Sequence, residues 1–226
     1  MFPRVLPPTF PPFSHLMKPL RFLTLLTLLA ACPAQARVLL NEIHINPPGG
    51  TDETHQYVEI ISLNDADQPE AQTLGNLSVL FIDSNGGSVG GITETLNLNG
   101  LQTGSNGLLL VGINAVPWTI SPGTKTADFA AIKGVGGGGD IGPKAGMTVL
   151  LVDALTGKPL DDLDTNDDGN FDRRPWASIL DGVGYGDRPY ETPLDVVIVP
   201  QNVSRSAANA LPNTAAAWYG GELLDT

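Results

Sequence analysis

The segment Asp164-Thr165-Asn166-Asp167-Asp168-Gly169-Asn170-Phe171-Asp172 places oxygen-bearing side chains at alternate positions around a glycine. Ca²⁺ is a hard cation that takes roughly six to eight oxygens at about 2.3–2.6 Å. A tight turn can aim Asp164, Asn166 and Asp168 at one centre, and Gly169 admits the left-handed bend that wraps the chain. Asn170 adds its backbone carbonyl, and Asp172 a carboxylate, directly or through water. The helix–loop–helix calcium motif places a bidentate Glu at the twelfth position, which here is Pro175. The expectation is therefore a shortened calcium turn, in which Asp161 or Asp162 stands in for the missing ligand. Five Asp lie between Asp161 and Asp168. Neighbouring charges about 6 Å apart repel by several tenths of a kcal/mol in water, and a bound cation removes that repulsion. The same residues suit a solvated acidic turn, since Asp, Asn and Gly favour turns on their own account.

Other residues with chemical capacity are dispersed. Glu42 and Glu59 fall on two successive apolar runs and are expected on adjacent strands, capping or hydrogen-bonding backbone groups. Tyr57 is expected as a core or rim anchor with its hydroxyl at the surface. With Glu42, Glu59 or Asp52, His44 and His55 could ligate zinc or act as a base, but their spacing defines no ligand set and surface positions are expected. No G-x-S-x-G elbow accompanies a Ser-His-Asp set. Gly134-Val135-Gly136-Gly137-Gly138-Gly139 matches the G-x-G-x-x-G spacing, yet Asp140, Gly142 and Pro143 do not open a helix after it. It reads as part of a flexible surface loop over Gly134–Gly142, as does Ser84–Gly91. Trp118, Trp176 and Trp218 are far apart in sequence and read as core or edge anchors rather than a sugar-stacking platform.

Composition narrows the classes. The 226 residues carry 12 Lys+Arg against 24 Asp+Glu, a formal charge of −12. Nucleic-acid binders gain affinity by neutralising phosphates with basic residues, so that class is not expected. One Cys excludes a disulfide framework and a Cys-based zinc site.

The first 36 residues read as a targeting region. Met17-Lys18-Pro19-Leu20-Arg21 offers a second start with two positive charges, and Met17 is the expected initiator. Phe22–Ala31 is an uncharged run of ten residues, too short to span about 30 Å of hydrocarbon as a helix. Ala34-Gln35-Ala36 follows as a small-x-small cleavage site. Leu29-Ala30-Ala31-Cys32 is similar to a bacterial lipobox, which would anchor the chain to the envelope through a lipid on Cys32. Free secretion after Ala36 is the first expectation and lipid anchoring the alternative. Cleavage there removes three basic residues and no acid, leaving a charge of −15.

From Arg37 onward, apolar runs alternate with turn signals: 38–45, 57–63, 77–83, 92–98, 108–113, 147–153, 179–185 and 196–199. Eight short runs separated by Gly, Asn, Asp and Pro predict an all-β sandwich or barrel over 37–226. Val149-Leu150-Leu151-Val152 is apolar without alternation, as in a strand covered on both faces or a barrel wall.

Asn41-Glu42-Ile43 followed by Tyr57-Val58-Glu59-Ile60 resembles the opening of the lamin tail domain as found in exported bacterial proteins. Val149–Asp153, Gly157, Leu163–Asp172 and Leu180-Asp181-Gly182-Val183-Gly184-Tyr185 resemble its late hairpin and closing strand. Asn202-Val203-Ser204-Arg205 and Trp218-Tyr219-Gly220-Gly221 resemble its ending. The resemblance implies an immunoglobulin-like β-sandwich in which the Gly-rich loops are insertions. It implies a binding or tethering module that carries no catalytic residues. The expected protein is then an exported monomer that recognises a protein or a cell-surface ligand, with Ca²⁺ as a structural cofactor. The competing expectation is a secreted metal-dependent hydrolase of nuclease or phosphatase type, or its targeting fragment, using Glu42, His44, His55, Glu59 or the acidic loop.

Overall fold

In the computed structural model the described residues are 37–44, 55–83, 89–113, 119–139, 141, 146–186, 202–205 and 218–221. The targeting region, Cys32, Trp118 and the run at 196–199 lie outside them. Contacts assign all the described residues to one unit, Gln35–Thr226.

Among the described residues ten strands and one short helix follow one another: β1 (Arg37–His44), β2 (Tyr57–Leu63), β3 (Leu77–Asp83), β4 (Ile92–Asn97), β5 (Leu108–Gly112), β6 (Lys125–Asp128), α1 (Phe129–Ile132), β7 (Gly146–Asp153), β8 (Ser178–Gly186), β9 (Asn202–Arg205) and β10 (Trp218–Gly221). They form two sheets, ordered β10-β9-β1-β2-β5-β6 and β4-β3-β7-β8. Every pairing is antiparallel except β5 with β6. The described residues are thus all-β, in two antiparallel-rich sheets with almost no helix.

One apolar cluster joins the sheets: Val38, Leu40, Ile43, Val58 and Ile60 from the first meet Val79, Phe81, Val149, Leu151 and Val183 from the second. The unbroken apolar run of β7 has a direct cause. β7 lies between β3 and β8. Val149 and Leu151 face the shared core, while Leu150 and Val152 join a second cluster with Leu80, Ile82, Val89, Ile92, Leu163 and Phe171. Burial on both faces removes the need for polar alternation.

Two bulges reset the faces of the strands. In β1 the register shifts between Leu40 and Glu42, so Leu40 and Ile43 both enter the core. In β4 an extra residue lies between Ile92 and Glu94 opposite Ile82 and Phe81. Ile92 therefore belongs to the second cluster while Leu96 belongs to the shared core. A bulge places two residues against one and turns the following side chains over.

β6 was not expected from the sequence. Its residues, Lys-Thr-Ala-Asp, are mostly exposed because the strand closes one edge of the six-stranded sheet. From β6 the chain enters α1, where Asp128 caps by accepting from the Ala130 N–H at 2.9 Å and Phe129 fills the shared core. It then reaches Lys133, which bridges to Leu96 on the edge strand β4.

Candidate functional site

The acidic loop is built on the outer layer of the four-stranded sheet. Leu163 and Phe171 sit in the cluster formed by Leu80, Ile82, Leu150 and Val152. Trp176 meets Phe171 edge-on, with centroids 5.6 Å apart and planes at 82°. The base of the loop is zipped to the start of β4: the Ile92 N–H donates to the Asp161 carbonyl at 2.8 Å, and the Leu163 N–H to the Gly90 carbonyl at 3.0 Å. The Asp172 N–H closes the loop on the Leu163 carbonyl at 2.7 Å. Val89 and Gly90, expected in a flexible surface loop, are instead buried in this layer.

Asp164 is fully buried, and its carboxylate accepts from the Asp168 N–H at 3.1 Å and the Gly169 N–H at 2.8 Å. Gly169 and Asp167 both have positive φ, 87° and 57°, which turns the chain back over Asp164. Asn166 Oδ1 accepts from the Asp168 N–H at 2.9 Å, and Asp168 Oδ1 from the Asn170 N–H at 2.9 Å. Asp172 Oδ2 accepts from Thr165 N–H and hydroxyl at 2.9 and 2.6 Å. Asp162 accepts from the Asp164 N–H at 3.0 Å and Asp161 from the Lys158 N–H at 3.1 Å. The sequence-predicted residues therefore share one loop, with Asp164 at its floor and Asn166, Asp168, Asn170 and Asp172 on its exposed side. Among the described residues no three His, Cys, Asp or Glu side chains gather into a group that could hold a metal ion.

The second set of expected residues occupies the paired ends of β1 and β2. Glu42 lies opposite Glu59, and His44 opposite Tyr57. Glu59 is half-buried and accepts from the Asn41 amide at 2.5 Å. Burial raises its pKa; the Asn41 bond opposes that shift and the Glu42 charge adds to it. The expectation of backbone capping by Glu59 is thus replaced by a bond to a side chain. His44 was expected at the surface, but it is only 1 % exposed and stacks on Tyr57, with centroids 4.9 Å apart and planes at 6°. Burial, then the neighbouring His55, lower its pKa to about 4, so the ring is neutral at pH 7.

Two further carboxylates were missed from sequence. Asp181, on β8, is 1 % exposed and accepts from the Leu40 N–H on β1 at 2.9 Å. The bond ties one sheet to the other beside the bulge in β1, where the β9 pairing covers only Glu42–His44. Glu94, on β4, is fully buried and accepts from the backbone amides of Thr95, Gly134 and Gly139. A polar residue inside an apolar run was the only sequence signal for either.

No family model matches the chain, and neither a curated protein nor a solved structure matches it. The class defined here is that of an all-β protein with two facing sheets, whose enclosed carboxylates serve largely as acceptors for backbone amides.

Proposed function

We propose that this chain is an exported, non-catalytic binding or tethering module of the lamin-tail type, with its two sheets in an immunoglobulin-like arrangement. One observation carries the reading. The segments that resemble that family fall in order on paired strands: Asn41-Glu42-Ile43 on β1, Tyr57-Val58-Glu59-Ile60 on β2, the late hairpin on β7 and β8, and the ending on β9 and β10. The partner is a protein or cell-surface ligand, met by sheet faces and loops. Secretion after Ala36 is part of the proposal; the alternative is a lipid on Cys32. Mass spectrometry of the mature N-terminus separates the two, Arg37 marking free secretion and an acylated Cys32 marking anchoring.

Calcium is the proposed structural ligand of the acidic loop. Its support is the spacing of Asp164, Asn166, Asp168, Asn170 and Asp172 and the mutual repulsion of the loop's carboxylates. Thermal melting with millimolar Ca²⁺ and with chelator tests it. A higher midpoint with calcium is expected, and identical midpoints remove calcium from the reading.

A secreted metal-dependent hydrolase is the second reading, favoured by the raised pKa of Glu59 beside Glu42, a feature that often marks acid–base sites. Phosphoesters, nucleic acids and glycosides assayed with Ca²⁺, Mg²⁺ and Zn²⁺ decide between the two. Turnover that disappears in a folded Glu59→Ala variant would overturn the module reading.

A further inference from the structure

We propose that the segment Gly134–Gly139 is an oxyanion-binding strap whose resident ligand is the protein's own Glu94, and that this latch closes the open edge of β4. The Glu94 carboxylate lies between the amides at the two ends of the strap: Oε1 accepts from Gly134 N–H at 3.1 Å, and Oε2 from Gly139 N–H at 3.2 Å. The same segment adds to the edge of β4, with the Gly134 N–H 2.8 Å from the Thr95 carbonyl and the Gly138 N–H 3.4 Å from that of Thr93. Backbone amides that point into a concavity bind anions. Glycine is required by packing. A Cβ at Gly137 would overlap the Glu94 carboxylate, and one at Gly134 would come 2.8 Å from Pro159. Gly136 and Gly139 also take positive φ, 95° and 85°. The G-x-G-x-x-G spacing therefore serves an internal carboxylate, and the ligand class of the vacated nest is a small carboxylate such as formate. An open edge strand invites pairing with another chain, and the strap occupies that edge.

Amide hydrogen exchange of the full chain tests this, with β3 and β7 amides as the reference for global folding. In Glu94→Ala, amides of 134–139 should exchange about tenfold faster or more, while β3 and β7 stay protected. Millimolar formate should restore strap protection in Glu94→Ala and leave the natural protein unchanged. Gly137→Ala should open the strap when Glu94 is present and add nothing in the Glu94→Ala background. Where Glu94→Ala does not fold, Glu94→Gln decides: it keeps the shape but replaces one acceptor with a donor, so the strap alone should loosen. Unchanged strap exchange in the folded variant, or no recovery with formate, overturns the proposal.

Discussion

Glu94 and Glu59 are both glutamates on antiparallel strands, one in each sheet, and they are held in contrasting ways. Glu94 is fully buried, and its carboxylate accepts from the backbone amides of Thr95, Gly134 and Gly139. Glu59 is half-buried, takes a hydrogen bond from one side-chain amide, and lies across from a second carboxylate. Backbone donors cannot swing away, so they fix the carboxylate in place. At Glu59 burial, and to a smaller degree the facing carboxylate, work against the charge and make the site answer to pH. The first arrangement builds structure and the second tunes it. Substitutions at the two sites should therefore differ in sign as well as in size.

The largest effect is expected at Glu94. Glu94→Ala leaves the Gly139 amide without this acceptor and takes from the Gly134 amide one of its two, and should cost about 2–4 kcal/mol, read as a fall in the denaturant midpoint with unchanged slope. A loss below about 0.5 kcal/mol would mean that water serves those amides equally well, and the contrast with Glu59 would vanish.

His44 comes next and brings pH into the comparison. Its folded pKa of about 4 lies below the ordinary 6.5, so between those values the unfolded chain binds the extra proton. Its contribution to stability is complete above pH 6.5 and is lost as pH falls through about 4. The loss amounts to roughly 2–3 kcal/mol. His44→Phe keeps a flat ring against Tyr57 and should flatten the decline in melting temperature between pH 6.5 and 4. An unchanged slope would show that the ring is hydrated when protonated.

Asp181→Asn should have a smaller effect, about 1–2 kcal/mol, because the amide oxygen can still accept from Leu40 while the charge assistance is gone. Equilibrium unfolding measures it. A parallel rise in exchange at the Leu40 amide would locate the loss at the junction between the sheets.

The fold was legible where burial alone determines the sequence. The two-faced run of β7 could not be a half-solvated strand, and Leu150 and Val152 indeed face a second apolar layer. β6 was illegible because an exposed edge strand needs no apolar residues, and Lys-Thr-Ala-Asp offers none beyond one alanine. His44 was misread as a surface residue. Its burial follows from the stack on Tyr57 and from a bulge at Asn41, and pairing register is not visible in one strand. The acidic loop was found from local spacing, since its hydrogen bonds span only a few residues. Glu94 was missed because its strap partners are 40 and 45 residues away. Nothing local in β4 announces that a glycine-rich segment will return to it.

Glu59→Gln is the smallest change and the one that should run the other way. Burial, reinforced by the Glu42 charge, raises the folded pKa of Glu59 above its ordinary 4.5, although the Asn41 bond opposes the shift. Between 4.5 and that raised value the folded chain holds a proton that the unfolded chain has released. Stability from this site is therefore greatest at acid pH and falls as pH rises through that window. Gln resembles the protonated acid in shape and never ionises. Glu59→Gln should match the natural protein below pH 4.5 and exceed it at pH 7, by less than any of the losses above. Glu42→Gln should recover only part of that gain, because burial is the larger cause of the shift and the facing charge the smaller. A pH series of melting midpoints for both variants separates the two causes. An equal gain from Glu42→Gln would make repulsion, rather than burial, the property that distinguishes this glutamate from Glu94.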